Sequence, residues 1–181
     1  LTKVSYPIYD MDTRDIVNFL LIYDSIDFSF WGAPKWTINA NGQLLDGGIA
    51  LLHCIFNLFN NRDSRLVYKE IENMSLDQFK EILKGNVDIP LLEERYRIII
   101  RIAKIVNKKM NGSFYDYIKA MNTDKEIFKT ILNYFSSFED TRTYQDRTIY
   151  FYKLVQLLTS DILHVIKNKE HIEVDYSNLL G

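Results

Sequence analysis

Proline and glycine are scarce in this chain, 3 and 7 in 181 residues, and cysteine occurs once. So few chain breakers exclude a loop-rich or low-complexity protein, and a single thiol excludes a disulfide framework. Cys54 lies in the apolar stretch 49–59, where a small buried hydrophobe is the expected role rather than a reactive thiol. The three histidines, His53, His164 and His171, lack zinc-ligand spacing, so neither a metal nor a cofactor is expected. An excess of one charge is missing too. With 22 Lys and Arg against 24 Asp and Glu the net charge is -2, which argues against the broad basic surface that grips a nucleic-acid backbone. Long hydrophobic runs are absent. Residues 16–22 and 98–106 are the longest, well short of a membrane span, and nothing reads as a signal peptide, so the cytosol is the expected compartment. Leu1 is not an initiator methionine and Gly181 follows no end signal; both ends are expected to be cut from something longer.

What is present is apolar and aromatic, 47% hydrophobic with 12 Tyr and 11 Phe, enough for one globular domain with its own core. Helical periodicity runs almost throughout. Residues 13–23 set Ile16, Val17, Leu20 and Tyr23 on one stripe. Next, Asn39-Ala40-Asn41-Gly42 lies between short β-prone segments and predicts a hairpin over 36–45, because Asn-Gly supplies positive backbone angles. Residues 46–60 read as a helix apolar around most of its circumference, expected to run through the middle of the domain. Ser75-Leu76-Asp77-Gln78 and Thr123-Asp124-Lys125-Glu126 are capping boxes. Pro90 is expected at the first position of a helix closed by Gly112, with Leu92, Tyr96, Ile99, Ala103 and Val106 facing the core. Ser113 is expected to cap a helix over 114–121. Residues 136–144 read as a loop. A last helix over about 148–167 carries Phe151, Val155, Leu158, Ile162 and Val165, although Thr148-Ile149-Tyr150-Phe151-Tyr152 has strand propensity.

Several residues carry chemistry that packing alone does not demand. Phe28, Phe30 and Trp31 are either core or a platform on which a flat heteroaromatic ring stacks, at roughly 1–3 kcal/mol per base. Asp27 beside them either turns the chain or binds. Phe138 and Asp140 sit where loops concentrate binding residues, amid charges that also suit plain solvent exposure. On the last helix Lys153, Gln156, Ser160 and His164 fall within about 40° of the side opposite the apolar stripe, which by itself is what a solvated face looks like.

The segments Asp27-Phe28-Ser29-Phe30-Trp31, Ile89-Pro90-Leu91-Leu92-Glu93-Glu94-Arg95, Phe135-Ser136-Ser137-Phe138-Glu139-Asp140 and Phe151-Tyr152-Lys153-Leu154-Val155-Gln156, with Asp161 beyond, recur in one order. In this the chain resembles the queuosine-salvage N-glycosidases, helical enzymes that release queuine from queuosine 5'-phosphate. The resemblance runs from about Tyr23 to Gly181. It implies an all-α fold of the DNA-glycosylase-like helical kind with one small β-hairpin, metal-independent hydrolysis of an N-glycosidic bond, and a monomer without direct nucleic-acid binding. It further implies that Asp27, Phe28, Phe30, Trp31, Phe138, Asp140, Tyr152, Gln156 and Asp161 bind substrate and that Lys153 is catalytic. Asp140 or Asp161 would pair with the secondary amine of queuine. Arg95 would be tied up by Glu93, Glu94 or a loop carboxylate, or bind phosphate.

The chain also departs from the family pattern. Asp27 stands for an Asn, Gly47-Gly48-Ile49-Ala50 for a Gly-Tyr-Trp step, Asn57-Leu58 for Asn-Arg, and Lys153-Leu154-Val155-Gln156 for Lys-Arg-Ala-Gln. The Phe-Ala-Asp-Tyr-Arg element that supplies the family's catalytic aspartate would fall a few residues after Gly181. A fragment of a complete glycosidase is the expectation; a non-catalytic 7-deazaguanine-binding or helical interaction module is the alternative.

Overall fold

Helix α1, Thr13–Ile26, is the axis on which the other helices are assembled. The computed structural model describes residues 6–121 and 123–171. After α1 come strands β1, Thr37–Ala40, and β2, Gln43–Asp46, then helices α2, Gly47–Phe59, α3, Ser64–Asn73, α4, Leu76–Ile82, α5, Leu92–Lys109, α6, Phe114–Ile118, and α7, Asp124–Tyr134. Strands β3, Asp140–Tyr144, and β4, Arg147–Phe151, lead into helix α8, Lys153–Glu170. The fold is mainly α with two small antiparallel hairpins.

The sequence expectation gave the central position to α2, and this is corrected. Ile49 on α2 is 60% exposed, whereas Ile16, Val17, Phe19, Leu21, Ile22 and Ile26 of α1 are completely buried. The reason is polar. Asn18 reads as a surface residue, yet its amide donates to the Ser64 and Ser113 hydroxyls at 2.8 and 3.3 Å and accepts from the Phe114 amide at 2.9 Å. With those groups satisfied, α1 can be buried all round against α2, α3, α5, α6 and α8.

The local signals at the element ends largely match. Asn41 and Gly42 take φ of 52° and 83° and close the β1–β2 hairpin, with Ala40 opposite Gln43. Both capping boxes form. Gly112, φ 81°, lies just past the end of α5, where a left-handed residue reverses the chain. Pro90 lies outside α5: Leu91, left-handed at φ 57°, is the N-cap and the helix starts at Leu92. Helix α6 ends at Ile118, short of the expected 121.

Residues 136–144 are not simply a loop and the last helix does not begin near 148. Gln145 and Asp146 both take positive φ, 46° and 62°, forming the tight turn of a second hairpin in which Arg142 faces Ile149. The β-prone run from Thr148 therefore pairs as β4, and Phe151, expected on the core stripe of α8, is an exposed strand residue. From Val155 onward the stripe holds: Val155, Leu158, Ile162 and Val165 are buried against the body.

Candidate active site

The segment joining α1 to β1 has no regular structure of its own, and one side chain on α5 fixes it. Arg95 is completely buried. Its Nε donates to the Pro90 carbonyl at 2.9 Å, and its terminal nitrogens donate to the carbonyls of Ile26, Phe28 and Ser29. The guanidinium also lies 4.5 Å from the Phe28 ring centre and 4.8 Å from that of Phe30. Burial lowers the Arg95 pKa to about 10, against the opposing pull of Asp27 and Glu94. Arg95 is thus tied up by backbone carbonyls rather than by the carboxylates expected from the sequence.

That clamp sets where the aromatics go. Phe28 and Phe30 are half-buried. Phe30 stacks at 6.3 Å on Trp36, which is buried and donates from Nε1 to the Leu83 carbonyl at 3.0 Å. Trp36 needs Gly85 beneath it: a Cβ there would lie 2.6 Å from Nε1 and 2.5 Å from the Thr37 carbonyl oxygen. Trp31 is 91% exposed.

The remaining predicted residues lie on α8 and in the segment that leads into it. Tyr152 immediately precedes the helix, stacks on Tyr150 at 6.3 Å and tilts against Phe128 at 5.6 Å. Lys153 and Gln156 are exposed one turn apart, and the backbone N–H of Gln156 donates to the Tyr152 carbonyl at 2.9 Å. Asp140 opens β3, opposite Phe151. Phe138 is completely buried in the short 3-10 turn Ser136–Phe138, where it packs rather than presenting a face to a ligand.

Two of the predicted residues, Asp27 and Asp161, share an acidic cluster with two residues that sequence reasoning did not single out as site residues. Asp27 caps the C-terminus of α1 and Asp161 lies on α8, which packs along α1. Between them in effect is Asp24, 5% exposed. Burial, then Asp161 and then Asp27, push its carboxyl well above the usual range. The Tyr23 hydroxyl donates to Asp27 Oδ2 at 3.3 Å and approaches the Gly48 carbonyl at 3.4 Å, and its own pKa is raised by burial and these carboxylates. Burial raises Asp27 against the lowering pull of Tyr23 and Arg95, and raises Asp161 against that of His164. The available signal was Asp24-x-x-Asp27, two carboxylates one turn apart at the C-terminal end of a helix whose preceding residues 19–22 are apolar.

The described residues thus form a mainly α domain in which Arg95 holds an aromatic segment and a carboxylate cluster lies where α8 packs along α1. The family model described as "Queuosine salvage protein" matches residues 8–179, and the chain belongs to that family. A Sphaerobacter thermophilus protein is 30% identical over 148 residues, covering 81% of this chain and 46% of the relative. A Bos taurus protein is 26% identical over 159 residues, 84% and 47%, and a Nematostella vectensis protein 26% over 178 residues, 93% and 51%. Each is named queuosine 5'-phosphate N-glycosylase/hydrolase. The chain spans about half the length of these curated relatives. Two of its departures from the family pattern, Asp27 and Gly48, are neighbours: a Cβ on Gly48 would lie 3.0 Å from Asp27 Oδ1.

Proposed function

We propose that this chain supplies the base-binding part of a cytosolic, monomeric N-glycosidase that hydrolyses queuosine 5'-phosphate to queuine and a ribose phosphate. The observation that supports it is a family match running through 8–179, with relatives of that one name in a bacterium, a mammal and a cnidarian. On this reading Phe28, Phe30 and Trp31 stack on the deazapurine, and Asp27, Asp140, Tyr152, Gln156 and Asp161 shape or line its site, while Phe138 only packs. Breaking the bond gives the sugar oxocarbenium character, which a carboxylate stabilises while orienting water. Queuine has carbon where guanine has N7, so the leaving base must be stabilised through other atoms. Lys153 does this by donating to the departing base.

Incubating the longer protein expected to carry this chain with queuosine 5'-phosphate and following free queuine by mass spectrometry tests the reading. Release of queuine that falls about a hundredfold or more in Lys153→Ala is expected. Binding without cleavage would reduce the chain to a base-binding module. No binding at all would remove the reading.

A further inference from the structure

The acidic cluster beneath the aromatic segment has more negative charge than its surroundings answer. Asp24 Oδ2 is buried and has no hydrogen-bond partner among the described residues. Arg95, the cation that acts on Asp27, spends its hydrogen bonds on four carbonyl oxygens rather than on a carboxylate. His164 acts on Asp161 but is exposed and bonded to Asn168 at 2.9 Å. Tyr23 brings one donor, already engaged by Asp27. From α2 the neighbour is Gly48, which has no side chain and keeps the space beside Asp27 Oδ1 open. An uncompensated buried carboxylate is costly, so a structure that retains one gains from a cation that arrives with the ligand. No group of three or more His, Cys, Asp and Glu among the described residues is arranged to hold a metal, and the ligand of the base-binding reading brings an organic cation of its own. Asp27 adjoins Phe28 directly, so a ring held by the aromatic segment carries its substituents within reach of the cluster.

We propose that Asp24, Asp27 and Asp161, with the Tyr23 hydroxyl, form a subsite for a protonated amine on the ligand, and that Asp24 sets the preference for a deazaguanine bearing a cationic substituent over an unsubstituted ring. This rests on the base-binding reading above and names the part of the ligand the cluster takes. A neutral ring satisfies the aromatic segment and leaves Asp24 unanswered. A ring with a secondary ammonium answers both.

The test is calorimetric, with three probes at neutral pH: queuine, which carries the amine; 7-deazaguanine, which lacks it; and N-methylcyclopentylamine, which carries the amine without the ring. The wild-type chain is expected to prefer queuine over 7-deazaguanine by about tenfold to a hundredfold. Asp24→Asn is expected to bring that ratio to within about twofold while leaving 7-deazaguanine affinity unchanged, and the less buried Asp161→Asn to lower queuine affinity more than 7-deazaguanine affinity, bringing the ratio down as well. The preference is also expected to fade as acid protonates Asp24, Asp27 and Asp161. A ratio that survives in both variants, or a loss shared equally by both rings, overturns the subsite. If neither ring binds, the base-binding reading fails on its own account, and the amine decides the rest. Stabilisation of the wild type but not of Asp24→Asn by N-methylcyclopentylamine keeps the cation subsite, and stabilisation of neither overturns it.

Discussion

The guanidinium of Arg95 lies 4.5 Å from the centre of the Phe28 ring and bonds the carbonyl of the same residue, so one side chain on α5 grips both the ring and the backbone of Phe28. Replacing it with methionine keeps the volume and leaves the Pro90, Ile26, Phe28 and Ser29 carbonyls without their donor. Arg95→Met is expected to cost roughly 2–4 kcal/mol in urea unfolding. Arg95→Lys should recover little of it, because an ammonium cannot reach the same set of acceptors. A loss within experimental error would show that the segment holds its shape without the clamp.

Asn18 ties the centre of α1 to the starts of α3 and α6 through Ser64, Ser113 and Phe114. Asn18→Ala strands these buried groups together. A loss of roughly 2–4 kcal/mol is expected from chemical denaturation, and one below about 0.5 kcal/mol would mean that water replaces the amide freely.

For Asp24 the sign runs the other way. A carboxyl whose pKa is raised on folding holds its proton more tightly in the folded chain, so its ionisation penalises folding at neutral pH. The penalty fades as pH falls from neutral toward the ordinary value of 3.8. Asp24→Asn is therefore expected to be more stable than wild type at pH 7, by about 1–3 kcal/mol, with the difference shrinking on acidification. A variant less stable at pH 7 would contradict this. Stability sacrificed at Asp24 is the pattern expected where a group is kept for binding.

Gly48 separates stability from binding. It is helical with ordinary backbone angles, so alanine should be tolerated or stabilising by up to about 1 kcal/mol. The new methyl would press on Asp27 Oδ1 at 3.0 Å. Gly48→Ala is expected to raise or keep the melting temperature and to weaken queuine binding severalfold; unchanged affinity would free Asp27 of any part in it.

Cys54 is 7% exposed, and burial pushes its thiol from 9.0 up to about 12. Alkylation by iodoacetamide in the folded chain should be on the order of a thousandfold slower than for free cysteine, and should become fast in denaturant. Mass spectrometry of the alkylated fraction over time is the measurement.

Much of the fold was written in local signals, because they depend on a residue and its near neighbours. Asn41-Gly42 fixes one hairpin, and the two capping boxes start α4 and α7. The second hairpin was hidden because Gln145 and Asp146 hold positive φ without a glycine. The site was harder to read, since its partners come from distant segments. Arg95 sits among Glu93, Glu94 and Arg97 in sequence, yet bonds carbonyls that no pattern announces. Which tryptophan is buried is settled by Gly85, which only Trp36 reaches. Asp24 looks like any helical acid until α8 is laid against it.

The clamp on residues 26–29 has a consequence for anyone who would borrow this segment. The tetrapeptide Phe28-Ser29-Phe30-Trp31 does not carry its own shape, because that shape is imposed from a helix more than sixty positions further along. Grafted alone onto another scaffold it would collapse into whatever its host allows, and a working transplant has to bring the arginine helix with it.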